Sequence, residues 1–137
     1  MRKIAAYFTQ ARRLLHSVPD ARIERYEEQM LSATRGNLRI RLRLTGQAVL
    51  EISEAFVLMA GELQWLSYRY HYQDPSVALV LRYDNAPHHP EIPTHPDHKH
   101  TGDRVVASYH PSLEQVLLEV QALRDKTAKP SGEQEPH

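Results

Sequence analysis

Leu38-Arg39-Ile40-Arg41-Leu42-Arg43-Leu44, then Thr45-Gly46-Gln47, then Ala48-Val49-Leu50-Glu51-Ile52, is the stretch on which the fold turns. Apolar and basic residues alternate with period two from Leu38 to Leu44, the pattern of a strand with one buried face and one wet face. The next segment places Ala48, Leu50 and Ile52 at the same parity. A two-residue turn would set those three on the arginine side. A three-residue loop of Thr45, Gly46 and Gln47 instead pairs Leu44 with Ala48, Leu42 with Leu50 and Ile40 with Ile52, so both apolar faces coincide. That register also sets Arg41 opposite Glu51, a cross-strand charge pair of roughly 0.2–1 kcal/mol.

Working outward, residues 3–16 carry Ile4, Phe8, Ala11 and Leu15 at helical spacing before Pro19, which predicts one amphipathic helix. Residues 22–31 read as a charged edge strand, although Ile23, Tyr26 and Met30 also fit a helix. A strand is predicted over 63–72, with Leu66, Tyr68, Tyr70 and Tyr72 on one side and Trp65, Arg69 and His71 on the other. Another covers 77–84, with Leu79, Leu81 and Tyr83 on one face and Val80, Arg82 and Asp84 on the other. Residues 103–108 can return as a short strand. Ser112 and Gln115 form a capping-box pattern ahead of Leu113, Val116, Leu117, Val120 and Leu123. A helix, a run of strands and a closing helix predict an α+β fold. It would be an antiparallel meander of about five strands packed by an N-terminal and a C-terminal helix. Residues 1–126 are expected to form a single domain, and the polar tail over 127–137 to be disordered.

Composition narrows the chemistry. The chain has 137 residues and no cysteine, which excludes thiolate metal sites, cysteine nucleophiles and disulfides and fits a reducing compartment. No apolar run approaches the roughly 20 residues of a membrane span, and the charged N-terminus is unlike a secretory leader, so a cytoplasmic address is expected. Seventeen basic and seventeen acidic residues cancel, so no bulk charge marks a nucleic-acid binder. Near-zero net charge favours self-association, and a homo-oligomer or an obligate partner is expected.

Chemistry concentrates in YDNAPHHPEIPTHPDHKH, residues 83–100, which holds five of the nine histidines and four of the nine prolines in eighteen residues without apolar periodicity. Histidine titrates near neutral pH and is the commonest metal ligand. Prolines stiffen both ends of the segment. The candidate catalytic residues are His88, His89, His98, Lys99 and His100, with Asp84 to orient a histidine. Three uses of them stand open. In the first, two histidines and a cation cleave RNA by acid–base chemistry without a cofactor. In the second, His98 and His100 point to one side of an extended chain and, with Asp84 and His88 or His89, hold a divalent metal. In the third, the imidazoles only satisfy loop carbonyls. Asp84 and Asn85 before Ala86 and Pro87 read equally as a turn.

If neighbouring strands pair, Arg39, Arg41, Arg43, Arg69, His71 and Arg82 share one face with Glu51 among them. Such a face is either ordinary solvated sheet or an RNA-contacting surface, since arginine is the better bidentate partner for phosphate. The candidate substrate-binding residues are Arg41, Arg69, His71, Arg82, Tyr70 and Asn85.

Three segments carry a resemblance: YRYHYQD at 68–74, RYDNAPHHPEIPTHPDHKH at 82–100 and the capped PSLEQVL at 111–117. They resemble the TumE family, described as the toxin half of a type II toxin–antitoxin pair, over roughly residues 38–120. The family carries an aromatic and a histidine in the stretch that here reads THPDHKH. His95 and Asp97 therefore depart from its pattern, and His98, Lys99 and His100 match it. The resemblance implies a small toxin neutralised by a cognate antitoxin and acting on RNA or translation. Joined to the residue chemistry, it suggests a ribonuclease-like toxin. The alternatives are a non-catalytic toxin that binds RNA or a ribosomal target, and a His/Asp metal-dependent hydrolase. An acidic antitoxin masking the cationic face is the simplest form of neutralisation.

Overall fold

The structure is a computed structural model that describes residues 2–128. Helix α1 (Arg2–His16) is followed by strands β1 (Arg22–Met30), β2 (Arg35–Arg43), β3 (Val49–Met59), β4 (Glu62–Gln73), β5 (Leu79–Asp84), β6 (His98–Thr101) and β7 (Arg104–Ala107). Helix α2 (Leu113–Ala128) closes the fold. The strands form one sheet in sequence order, every neighbouring pair antiparallel. The expected disordered tail falls, for residues 129–137, outside the described residues. No helix among the described residues is long and apolar enough to cross a membrane.

The deciding hairpin has the register its parity requires: Leu42 faces Leu50, Ile40 faces Ile52 and Arg41 faces Glu51. Leu44 N–H donates to the Ala48 carbonyl at 2.8 Å, and Gly46 and Gln47 turn the chain with φ of 85° and 76°. The inner face receives Ile4, Phe8, Ala11 and Leu15 of α1 and Leu113, Val116, Leu117 and Val120 of α2 in one apolar cluster. The capping box is formed: Gln115 N–H donates to Ser112 Oγ at 3.1 Å, and Ser112 N–H to Gln115 Oε1 at 2.8 Å.

The sheet has seven strands rather than about five: the edge strand expected over 22–31 forms as β1, and the end of the His/Pro segment, read as loop, pairs as β6. Four residues reading His-Lys-His-Thr carry no apolar signal, and only pairing with β5 makes them a strand. Two bulges also move side chains across the sheet. Ala55 faces Ser67 while Phe56 faces Trp65, so Leu66 is the extra residue. Trp65 therefore packs inward, 5.6 Å from the Phe56 ring, and Leu66 is exposed. Tyr72 faces Leu81 while Gln73 faces Leu79, and Val80 rather than Leu79 packs against the core. The strand predicted over 77–84 starts at Leu79, since Val77 lies in the preceding turn at φ 72°.

Gly36 leaves room for the Phe56 ring of β3 and for Ile4 of α1. A Cβ there would lie 2.7 Å from Phe56 Cε1 and 3.3 Å from Ile4 Cγ2. The Phe56 ring is wedged among Tyr7, Phe8 and Trp65 and cannot swing clear. Gly36→Ala is expected to lower stability by about 1–3 kcal/mol through overpacking. Chemical denaturation followed by circular dichroism would measure it, and an unchanged midpoint would show that the ring yields.

Candidate functional site

Two cross-strand rows build the outer face, the one turned away from the helices. One runs Arg39, Ser53, Arg69, Asp84, His98 across β2 to β6, and the other Arg41, Glu51, His71, Arg82, His100. Alternation on each strand and one shared register thus place the arginines and two of the loop histidines on one surface.

At the β5–β6 end, His98 Nε2 lies 3.0 Å from Asp84 Oδ1, and His100 Nε2 lies 3.6 Å from Asp84 Oδ2. Ala86 N–H donates to Asp84 Oδ1 at 2.9 Å, so the turn expected at Asp84 and Asn85 also fixes the carboxylate. His98 is 2% exposed, and its Nδ1 is 2.9 Å from the Pro96 carbonyl oxygen. A carbonyl only accepts, so Nδ1 carries the proton. The loop over residues 85–97 folds His89 onto the pair, with its ring 5.0 Å from that of His98 and 5.8 Å from that of His100. Burial pushes the His100 imidazolium down from its ordinary pKa against the opposing pull of Asp84, which favours neutral imidazole.

Beside this cluster, Arg82 Nε donates to His71 Nδ1 at 3.1 Å, which leaves the His71 proton on Nε2, 3.1 Å from Gln73 Oε1. Burial, reinforced by Arg82, lowers the His71 pKa. His71 is therefore a neutral acceptor that aims Arg82. Arg41 is engaged by Glu24 at 3.0 Å and by Glu51. Glu24 also holds Arg43 at 3.0 Å, and bonds from Arg43, Arg22 and Arg41 bring its carboxyl down to about 2. Arg39 and Arg69 form no ion pair among the described residues, and they line a small groove of about 120 Å³ with Arg25, Ser53 and the paired Arg41 and Glu51.

The other predicted site residues lie elsewhere. Lys99 points to the helix side, where Nζ contacts Glu119 Oε2 at 2.7 Å and lies over the Tyr83 ring. Tyr70 is 0% exposed on the inner face and is not adjacent to the arginines. Asn85 accepts from Tyr68 N–H at 3.1 Å and donates to the Leu66 carbonyl at 3.2 Å, satisfying backbone groups opened by the bulge. His88 is exposed and outside the three-histidine group.

One constellation escaped the sequence reading. Buried Glu54 accepts from Tyr7 Oη at 2.5 Å and from Tyr70 Oη, while Tyr70 Oη lies 2.9 Å from His110 Nε2. His110 stacks on Tyr68 with ring centroids 3.8 Å apart. With Trp65, these groups border an inner-face cavity of about 390 Å³. Burial raises the Glu54 carboxyl and lowers His110. The available signal was parity: Glu54 follows Leu50 and Ile52 on the inward set of β3.

The arrangement combines unpaired arginines with a histidine–carboxylate cluster, a surface suited to phosphate-bearing ligands. No curated protein and no solved structure matches the chain significantly. The family model described as Toxin TumE matches residues 11–125, which contain the sheet, the cluster, most of α2 and the C-terminal end of α1. The chain therefore belongs to the TumE toxin family.

Proposed function

We propose that this protein is the toxin of a type II toxin–antitoxin pair and acts on RNA in the cytoplasm. Its outer face holds phosphates, and the phosphodiester is cleaved at the histidine cluster, with the 2′-hydroxyl oxygen attacking phosphorus and the 5′-oxygen leaving. The observation that carries this reading is the shared face: Arg39 and Arg69, without an ion pair among the described residues, and Arg82, aimed by His71, continue along the same rows into Asp84, His98 and His100. Four strand spacings separate Arg39 from His98, about 19 Å of surface for a single strand to follow. His89 and His100, half-buried at the rim, meet the reacting phosphate, whereas His98 is enclosed. An acidic segment of the antitoxin masks the same face.

Induction of the wild-type protein in cells is expected to arrest growth with fragmented RNA. In the purified protein, His100→Ala should lower cleavage at least about 100-fold with an unchanged circular-dichroism spectrum. Arg69→Ala, which breaks no ion pair, should keep stability within about 0.5 kcal/mol and reduce the salt slope of RNA binding by about 1. Growth arrest with intact RNA would overturn the cleavage reading and assign the face to RNA or ribosome binding.

A further inference from the structure

We propose that His89, His98 and His100, with the Asp84 carboxylate beside them, bind one zinc ion. This deepens the reading of the outer face as an RNA-acting site, and for the ion's consequence it rests on that reading.

The donor geometry is nearly assembled. One ligand nitrogen from each of the three histidines lies within 4.8 Å of the other two. A tetrahedral zinc site with bonds of about 2.0–2.1 Å separates its donors by roughly 3.3–3.4 Å, so side-chain rotation of a little over 1 Å closes the widest gap. His98 and His100 are two apart on one strand and project to the same face, and Asp84 is directly opposite His98 on β5. The sheet thus positions three of the four donors.

The outer contacts are those of ligating imidazoles. His98 donates Nδ1–H to the Pro96 carbonyl at 2.9 Å, which turns Nε2 inward. His89 Nδ1 faces Glu91 Oε2 at 3.4 Å, which likewise leaves Nε2 for the cluster. Such a carbonyl or carboxylate behind the ring sets the tautomer and raises the basicity of a metal-bound histidine. Three imidazoles and one carboxylate select zinc or its first-row neighbours over magnesium or calcium, which take oxygen ligands. The His98 side chain is 2% exposed, whereas those of His89 and His100 are 30% and 21% exposed, leaving one side open to water or substrate. With three imidazoles and the carboxylate bound, zinc would take a phosphoryl oxygen or a water as a fifth ligand, polarising the one or activating the other.

The full chain, dialysed against a chelator, would be titrated with zinc chloride by calorimetry, with bound metal counted by mass spectrometry. One zinc per chain with micromolar or tighter affinity is expected, and magnesium should not compete. His89→Ala and His100→Ala remove partly exposed ligands and should each weaken binding at least about 100-fold with unchanged circular dichroism. His88→Ala should bind as the wild type does. Absence of saturable binding, or affinity retained in the His89→Ala, His100→Ala double variant, would overturn the site. Zinc bound without any effect on RNA would leave the site standing and refute the nuclease reading. RNA cleavage by chelator-treated protein that takes up no zinc would do the reverse.

Discussion

Asp84→Ala is expected to lower folding stability by about 1–3 kcal/mol, the range for leaving a buried hydrogen-bonding group without its partner. The Asp84 side chain is 9% exposed and the His98 side chain 2%. His98 places one nitrogen on the Pro96 carbonyl at 2.9 Å and the other 3.0 Å from Asp84 Oδ1. Deleting the carboxylate strands that second nitrogen in a dry pocket and leaves the Ala86 N–H, 2.9 Å from the same oxygen, without its acceptor. Glu51→Ala is the control. Its carboxylate pairs with Arg41 across the sheet, but the two side chains are 38% and 34% exposed, and such a pair contributes under about 1 kcal/mol. Urea denaturation of both variants would test the contrast, and similar losses would show that Asp84 does not anchor the loop. His98→Ala shares the defect, so it reports on folding as much as on chemistry. His89 and His100 are the cleaner probes.

Glu54→Ala is expected to cost about 3 kcal/mol or more, through a buried void and two tyrosine hydroxyls left without their acceptor. Glu54 is 3% exposed and serves both Tyr7 and Tyr70. Glu54→Gln keeps the volume and an acceptor while removing the charge, so it should cost far less. The pH dependence supplies a sharper test. Burial raises the Glu54 carboxyl above its ordinary value of 4.5, so the folded chain holds this proton more tightly than the unfolded chain does. The stabilising contribution is full below the ordinary value. It is lost as pH rises through the higher folded-state value, where the native protein must ionise a buried group. Relative to wild type, Glu54→Gln should therefore gain stability as pH rises above 4.5. A difference that is flat, or that moves the other way, would mean that Tyr7 and Tyr70 solvate the carboxylate as well as water does.

The hairpin register was legible because period-two alternation admits one loop length that keeps both apolar faces together: Leu42 on Leu50 could be read, and so could Arg41 on Glu51. Helix α1 and the capped start of α2 were legible for the same reason, with local spacing and local hydrogen bonds in agreement. Parity extrapolation failed at Leu66 and Val80. A bulge inserts one residue without any compositional mark, and each residue beyond it in the reading changes face. Tyr70, a candidate beside Arg69, lies on the opposite, buried face as strand alternation requires, and Lys99 likewise faces away from His98 and His100.

By itself, the sequence determined an α+β chain with its basic residues on one sheet face, and it marked residues 83–100 as the chemically dense segment. These properties follow from short-range periodicity and composition. Only the tertiary structure decided that His89 rather than His88 joins His98 and His100, that Glu24 and Glu51 occupy Arg41 while Arg69 has no ion pair among the described residues, and that Glu54 meets Tyr7 and Tyr70, and Tyr70 meets His110, across the inner face. Each of those outcomes depends on contacts between segments far apart in the chain. Loop closure and the packing of α1 set them, and no local pattern encodes either.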